Sequence, residues 1–179
     1  MTILLEPPGI SALGKGSVFF MPYATALGGT ASAPTIPVTA FASATNATCA
    51  LDAGWDPPYE QSSGSRMRYC STAEYEVRGK GKWTGQNLTY EWDPQTPADV
   101  TNYKHVVDLA EGTRYKLCMR LGLGKDVAVA ANQYFAWVIP VELDKQVTVP
   151  IDPSNDGQVL QLQQRYFIIG APVANVQAV

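Results

Sequence analysis

Residues 114–121 read RYKLCMRL and, after a break, residues 133–141 read QYFAWVIPV. In the first stretch Tyr115, Leu117, Met119 and Leu121 alternate with Arg114, Lys116, Cys118 and Arg120. A period of two sends successive side chains to opposite faces of a strand. The second stretch is rich in aromatic and β-branched residues, which suit a pleated, half-buried surface. KQVTVPI (145–151) and QVLQLQQRYFII (158–169) continue the series, and SVFFMP (17–22) opens it. Thr35 to Phe41 and Thr45 to Leu51 add two shorter candidates.

Between these lies RMRYCSTAEYEV, in which Met67, Tyr69, Ala73, Tyr75 and Val77 share one parity and Arg66, Arg68, Thr72, Glu74, Glu76 and Arg78 the other. This is the pattern of a strand with one wet face. Gly79-Lys80-Gly81-Lys82 then punctuates the chain, and Leu88, Tyr90 and Trp92 alternate with Thr89 and Glu91. The two runs are expected to form one long hairpin turning at the glycines.

Residues 52–65, DAGWDPPYEQSSGS, are broken by Gly54, Pro57, Pro58 and Gly64 and read as a long loop. Trp55 and Tyr59 within it point to contact with a partner, because large exposed aromatics gain most when another chain covers them. Residues 24–34 read as a loop of small residues. One helix is expected, from Pro97 to Glu111. Thr96 stands at its cap with Asp99 three residues on, Val100, Tyr103, Val107 and Ala110 form an apolar stripe, and Gly112 closes it.

The chain of 179 residues is therefore expected to be one mainly antiparallel β-sandwich or partly open barrel with a flanking α-helix. Its domain spans residues 17–169, with an extended arm at 1–16, rich in proline and glycine, and a second arm at 170–179. The first residues carry no basic leader pattern, and no apolar run reaches membrane-spanning length, so no membrane partner is expected.

Charged residues make up 16% of the chain, against roughly 25% in ordinary soluble domains. Short polar residues could cover the surface in their place, or part of it could be buried against neighbours. The net charge of −3 gives no basic field for holding nucleic acid. Cys49, Cys70 and Cys118 are odd in number and widely spaced, which argues against disulfides or zinc. His105 is the single histidine and falls on the expected helix, and no nucleophile motif accompanies it. No catalytic residue, cofactor site or metal site is expected. Arg114, Lys116 and Arg120 share one strand face, which could be solvated or could pair with acids of a neighbouring subunit; pairing is the reading preferred.

The text LTYEWDPQ (88–95), the capped helix, DLAEGTRYKLCMRLG (108–122) and YFAWVIPV (134–141) resemble the tail tube proteins of long-tailed bacteriophages, especially those of actinobacterial hosts. Asp93-Pro94-Gln95, Glu111-Gly112 and Arg120 carry the resemblance. It implies a virion structural protein that forms six-membered rings, stacked into a tube through which DNA passes. A tape measure protein and a tail terminator are the implied partners, and assembly would take place in the host cytoplasm. The 52–65 loop would then bridge rings, and Trp55, Tyr59, Arg114, Lys116 and Arg120 would contact other subunits. Some family members carry a C-terminal Ig-like domain, for which this chain is too short. Two other readings stay open. One is a different virion component, a head decoration protein or tail terminator. The other is a carbohydrate-binding sandwich stacking sugars on Trp55, Tyr59 and Trp83.

Overall fold

A computed structural model of the chain describes residues 16–48, 50–53, 57–67, 74–91, 109–124, 126–150 and 160–179. Within these, β1 (Gly16–Pro22), β2 (Gly28–Thr30), β3 (Ala33–Ile36), β4 (Thr45–Asn46) and β5 (Leu51–Ala53) come first. They are followed by β6 (Tyr59–Met67), β7 (Glu74–Trp83), β8 (Asn87–Glu91) and β9 (Arg114–Leu121), then by β10 (Tyr134–Thr148), β11 (Gln161–Ile168) and β12 (Val173–Ala178). Among the described residues the strands form one ten-stranded sheet and a separate pair, β6 with β7. The protein is mainly β and its sheet is open, folded over itself without closing into a barrel.

β10 organises the sheet. It pairs with β9 over Trp137–Glu142, with β12 over Tyr134–Val138 and with β11 over Val141–Thr148. The two segments expected at 133–141 and 145–151 are thus one strand, with a bulge between Leu143 and Gln146. A bulge bends a strand and increases its twist, which lets one element serve two parts of a sheet. β1 lies on the far side of β9, all seven of its residues in register from Gly16↔Leu121 to Pro22↔Tyr115.

β1 and β9 are covered on both faces, which explains the unbroken apolar run Val18-Phe19-Phe20-Met21. Val18, Phe20, Leu117 and Met119 pack with Ile139, Val141, Leu88, Tyr90, Leu162 and Tyr166 in one core. Phe19, Met21 and Cys118 pack with Ile36, Phe135, Val138, Val176 and Ala178 in the other. Phe41, expected on a strand, instead lies in a 3-10 turn (Val38–Ser43) and stacks on Phe135 at 4.8 Å between ring centroids. Of the strand expected at 45–51, Thr45–Asn46 and the start of β5 are the parts that form among the described residues.

Four further expectations are corrected. Residues 170–179 are not an arm: β12 sits between β10 and β3, and its Val176 and Ala178 are fully buried. Small residues such as those of GAPVANVQAV give a weak strand signal, and the ladders on both sides supply what propensity does not. Residues 24–34, read as loop, hold β2 and the start of β3. The stretch at 52–65 runs through the end of β5 and most of β6, whose Ser-rich residues find partners along β7 from Tyr59↔Trp83 to Met67↔Glu74. The expected hairpin is also re-paired, because β7 joins β6 while β8 joins β11 and β5.

The arm at residues 1–15 and most of the helix expected at Pro97–Glu111 lie outside the described residues. Leu109 is buried in the first core, and Gly112, at φ +72°, turns the chain into β9. That left-handed conformation suits glycine. Gln164, fully buried, donates from Nε2 to the carbonyls of Leu109 (3.0 Å) and Asp144 (2.8 Å), fastening this entry to the sheet.

Candidate subunit interface

The β6–β7 pair leaves the body of the protein as a two-stranded sheet whose described side chains from Tyr59 to Ser65 and from Arg78 to Lys82 are exposed. A two-stranded sheet alone in water is marginal, so side chains must fix its root. Tyr59 rests against Trp83 at 4.9 Å between centroids, and Trp83 meets Trp137 at 4.9 Å in an edge contact. Trp137 packs against the first core, so a chain of three rings ties the hairpin to the sheet.

The glycines read as a turn have a packing role within β7. A Cβ on Gly81 would run into the Tyr59 ring, and one on Gly79 into Ser62. The resulting groove lets Gln61 donate from Nε2 to the Gly79 carbonyl (3.0 Å) and Ser62 from Oγ to the Lys80 carbonyl (3.1 Å). These bonds hold the bulge of β7, where Gly79 and Lys80 together face Ser62.

Of the five residues expected at contacts, the four that are described are not brought together into one site. Trp55 lies outside the described residues. Tyr59 is on the hairpin, 44% exposed. Its ring leans on Trp83 at 47°, and Trp83 is edge-on to Trp137, so the three rings cover one another and present no shared flat platform for a sugar.

Arg114, Lys116 and Arg120 share one face of β9 but meet three environments. Arg114 is largely exposed and donates from Nε to Glu142 Oε2 at 2.8 Å. That bond and the charge of Glu142 raise its already high pKa, and solvent keeps the pair weak. Lys116 donates from Nζ to the carbonyls of Tyr23 and Thr25, the latter at 2.6 Å, with the Tyr23 ring 4.8 Å away. Partial burial lowers its pKa, and its bonds fasten the turn after β1 to β9.

Arg120 is fully buried. Its Nη1 donates to Gln133 Oε1 (2.8 Å) and the Ala128 carbonyl (3.3 Å). Its Nη2 donates to the Val127 carbonyl (2.6 Å), Ser17 Oγ (3.0 Å) and the Gly124 carbonyl (3.5 Å). The guanidinium thus gathers the loop between β9 and β10, and desolvation lowers its pKa. Its charge is spent inside the subunit.

Two features escaped the reading of the sequence. One is the anchoring of Trp83 on Trp137. The other is the exposed bases of β7, Lys80 and Lys82 on the face of Glu60 and Arg78 on the opposite face with Ser63. Sequence parity does not report this split, because the bulge opposite Ser62 inverts the alternation between Arg78 and Lys80.

Among the described residues no group of three His, Cys, Asp or Glu could hold a metal ion, and no helix is long and apolar enough to cross a membrane. His105 lies outside them. Burial pushes the Cys118 thiol up to about 12, far from a reactive thiolate.

An open sheet with an uncovered hairpin defines a mainly β protein with broad surface left for other chains. The chain belongs to the phage tail tube protein family: the family model described as "Phage tail tube protein" matches residues 5–179. It is accordingly a structural protein of the bacteriophage tail. Among solved structures it is similar to a chain of "Cryo-EM structure of the anti-feeding prophage (AFP) baseplate, 6-fold symmetrised". The TM-score is 0.49 at 9% identity, covering 95% of this chain and 98% of that one. No curated protein sequence matches it significantly.

Proposed function

We propose that this chain is the repeating subunit of the tail tube, forming hexameric rings that stack around a channel for DNA, and that it performs no catalysis. The observation that carries the reading is the β6–β7 hairpin, exposed along its described length and rooted on Trp83 and Trp137. A sheet of two strands gains stability when a third surface covers it, and a neighbouring subunit supplies that surface. Family membership supports the same direction. The hairpin takes the ring-bridging part expected of the loop at 52–65, with Tyr59 at its root. Arg114 is the basic residue of β9 most open to an acidic neighbour, and residues 1–15 serve as an arm on an adjoining subunit. Tape measure protein and tail terminator are the further partners of the assembled tube.

The test is negative-stain imaging of the purified chain at increasing concentration. Tubes whose end-on averages show six subunits are expected. Discrete rings or trimers at every concentration would sink the tube reading in favour of a terminator or decoration protein.

A further inference from the structure

The charge of the chain is divided unevenly along it. Of 13 Lys and Arg, five lie between Tyr59 and Trp83 (Arg66, Arg68, Arg78, Lys80 and Lys82), with three of the 16 acids, Glu60, Glu74 and Glu76. That segment therefore carries +2 and the remainder −5, which together make the net −3.

The structure sharpens the contrast. The basic residues described on β9 are already engaged within the chain, Arg114 by Glu142, Lys116 by backbone carbonyls and Arg120 by its loop. Arg78, Lys80 and Lys82 are all exposed on β7. The bulge at Gly79-Lys80 turns Arg78 to one face and leaves Lys80 and Lys82, about 7 Å apart along the strand, together on the other. Among the described residues their side chains make no hydrogen bond or ion pair. On the β6 side Lys82 faces Glu60, and Arg78 faces Ser63.

We infer that the face bearing Lys80 and Lys82 docks the hairpin against the acidic body of a second copy of the chain. The inference rests on the tube reading and names the chemistry of the contact: a basic arm on one subunit, an acidic surface on the next. Such a contact is heterologous, so it propagates from copy to copy and does not close on a pair. Lysines on a free edge deter added strands, which is why the contact runs through the side chains and not through a new ladder. Duplex DNA is the competing ligand for a basic face. A body at −5 repels phosphates that an arm at +2 would have to hold, and the same body attracts the arm.

The experiment measures the critical concentration for polymerisation by light scattering, on wild type, on Lys80→Gln/Lys82→Gln and on Lys80→Glu/Lys82→Glu. Raising NaCl from about 0.1 M to about 1 M shortens the screening length from roughly 10 Å to roughly 3 Å. For wild type this should raise the critical concentration about tenfold, the scale of a few rim ion pairs acting together. At low salt the Gln variant should be intermediate and the Glu variant at least as impaired as wild type in high salt, with both salt responses flattened. Urea midpoints should stay at the wild-type value, since these side chains pack on nothing within the subunit. Variants that polymerise like wild type at both salts would overturn the inference, most pointedly if they lost only binding to a short DNA duplex measured by anisotropy. Wild type that never polymerises would defeat the tube reading itself.

Discussion

Replacing Arg120 with Met should destabilise the subunit by about 2–4 kcal/mol, because hydrogen bonds from charged donors contribute roughly 1.5–3 kcal/mol each and buried acceptors without donors cost a similar amount. Two effects oppose one another at this site. The guanidinium has five acceptors within 3.5 Å, and Met reaches none of them. Against this, Met removes the desolvation cost of a buried charge that no carboxylate offsets among the described residues. The acceptors decide the sign. Ser17 Oγ lies in a side chain that is 1% exposed, with no route to water, whereas Val127 and Ala128 are surface residues whose carbonyls regain part of their bonding from solvent. The net loss is therefore well below the sum of five bonds. Urea unfolding followed by Trp fluorescence, below the assembly concentration, reads the stability, and amide exchange over residues 121–134 reads the loop. Arg120→Lys should recover less than half of the loss, because one ammonium cannot span acceptors set around a planar fork. A Met variant within about 0.5 kcal/mol of wild type, an ordinary surface-substitution effect, with unchanged exchange would refute the idea that this guanidinium holds the loop.

Gln164→Leu should cost about 1–3 kcal/mol in the same urea assay, since the carbonyls of Leu109 and Asp144 lose their donor in the interior. Trp83→Ala should abolish the near-ultraviolet dichroism of the Trp83–Trp137 pair and prevent polymerisation, while far-ultraviolet spectra show the main sheet intact. For Cys118 the thiol pKa is about 12 when folded, against 9.0 for the free group, so stability from this residue is whole below pH 9 and is lost as pH rises toward 12. The slope is about 1.4 kcal/mol per pH unit in that window, and comparison with Cys118→Ala, whose alkaline loss should be shallower, checks it. The same thiol should resist an exchange reagent at pH 8 until the protein is denatured.

The central strands were legible because their apolar residues fix both period and partners: β1, β9 and β11 lie close to where alternation places them. Burial on both faces hid the fate of Arg120. Alternation puts it on one face with Arg114 and Lys116, but that face is wet at Arg114 and dry at Cys118 and Arg120, and parity does not report how far a covering layer extends. The hairpin was misread for a similar reason. Gly79 and Gly81 resemble a turn in isolation, and only the Tyr59 ring and Ser62 on the partner strand show why β7 lacks side chains there. β12 became visible only with its neighbours, since Val173 to Ala178 carry little strand signal and are held by β10 and β3. Of the proposed interface, the exposure of Tyr59 and Arg114 agrees with a contact role, while the grouping of Lys80 with Lys82 apart from Arg78 was concealed by the bulge at Gly79.

The pairing of β1 with β9 also sets a timetable. Gly16 meets Leu121, about a hundred residues further along, and contacts of such separation slow folding because a long loop must close before they form. β10 lacks its β12 neighbour until residues 173–178 are made, so the second core stays open while the polypeptide is still being synthesised. A nascent subunit therefore presents its hairpin strands before it has a finished body on which another copy could dock. Self-association is postponed to the completed chain by topology alone.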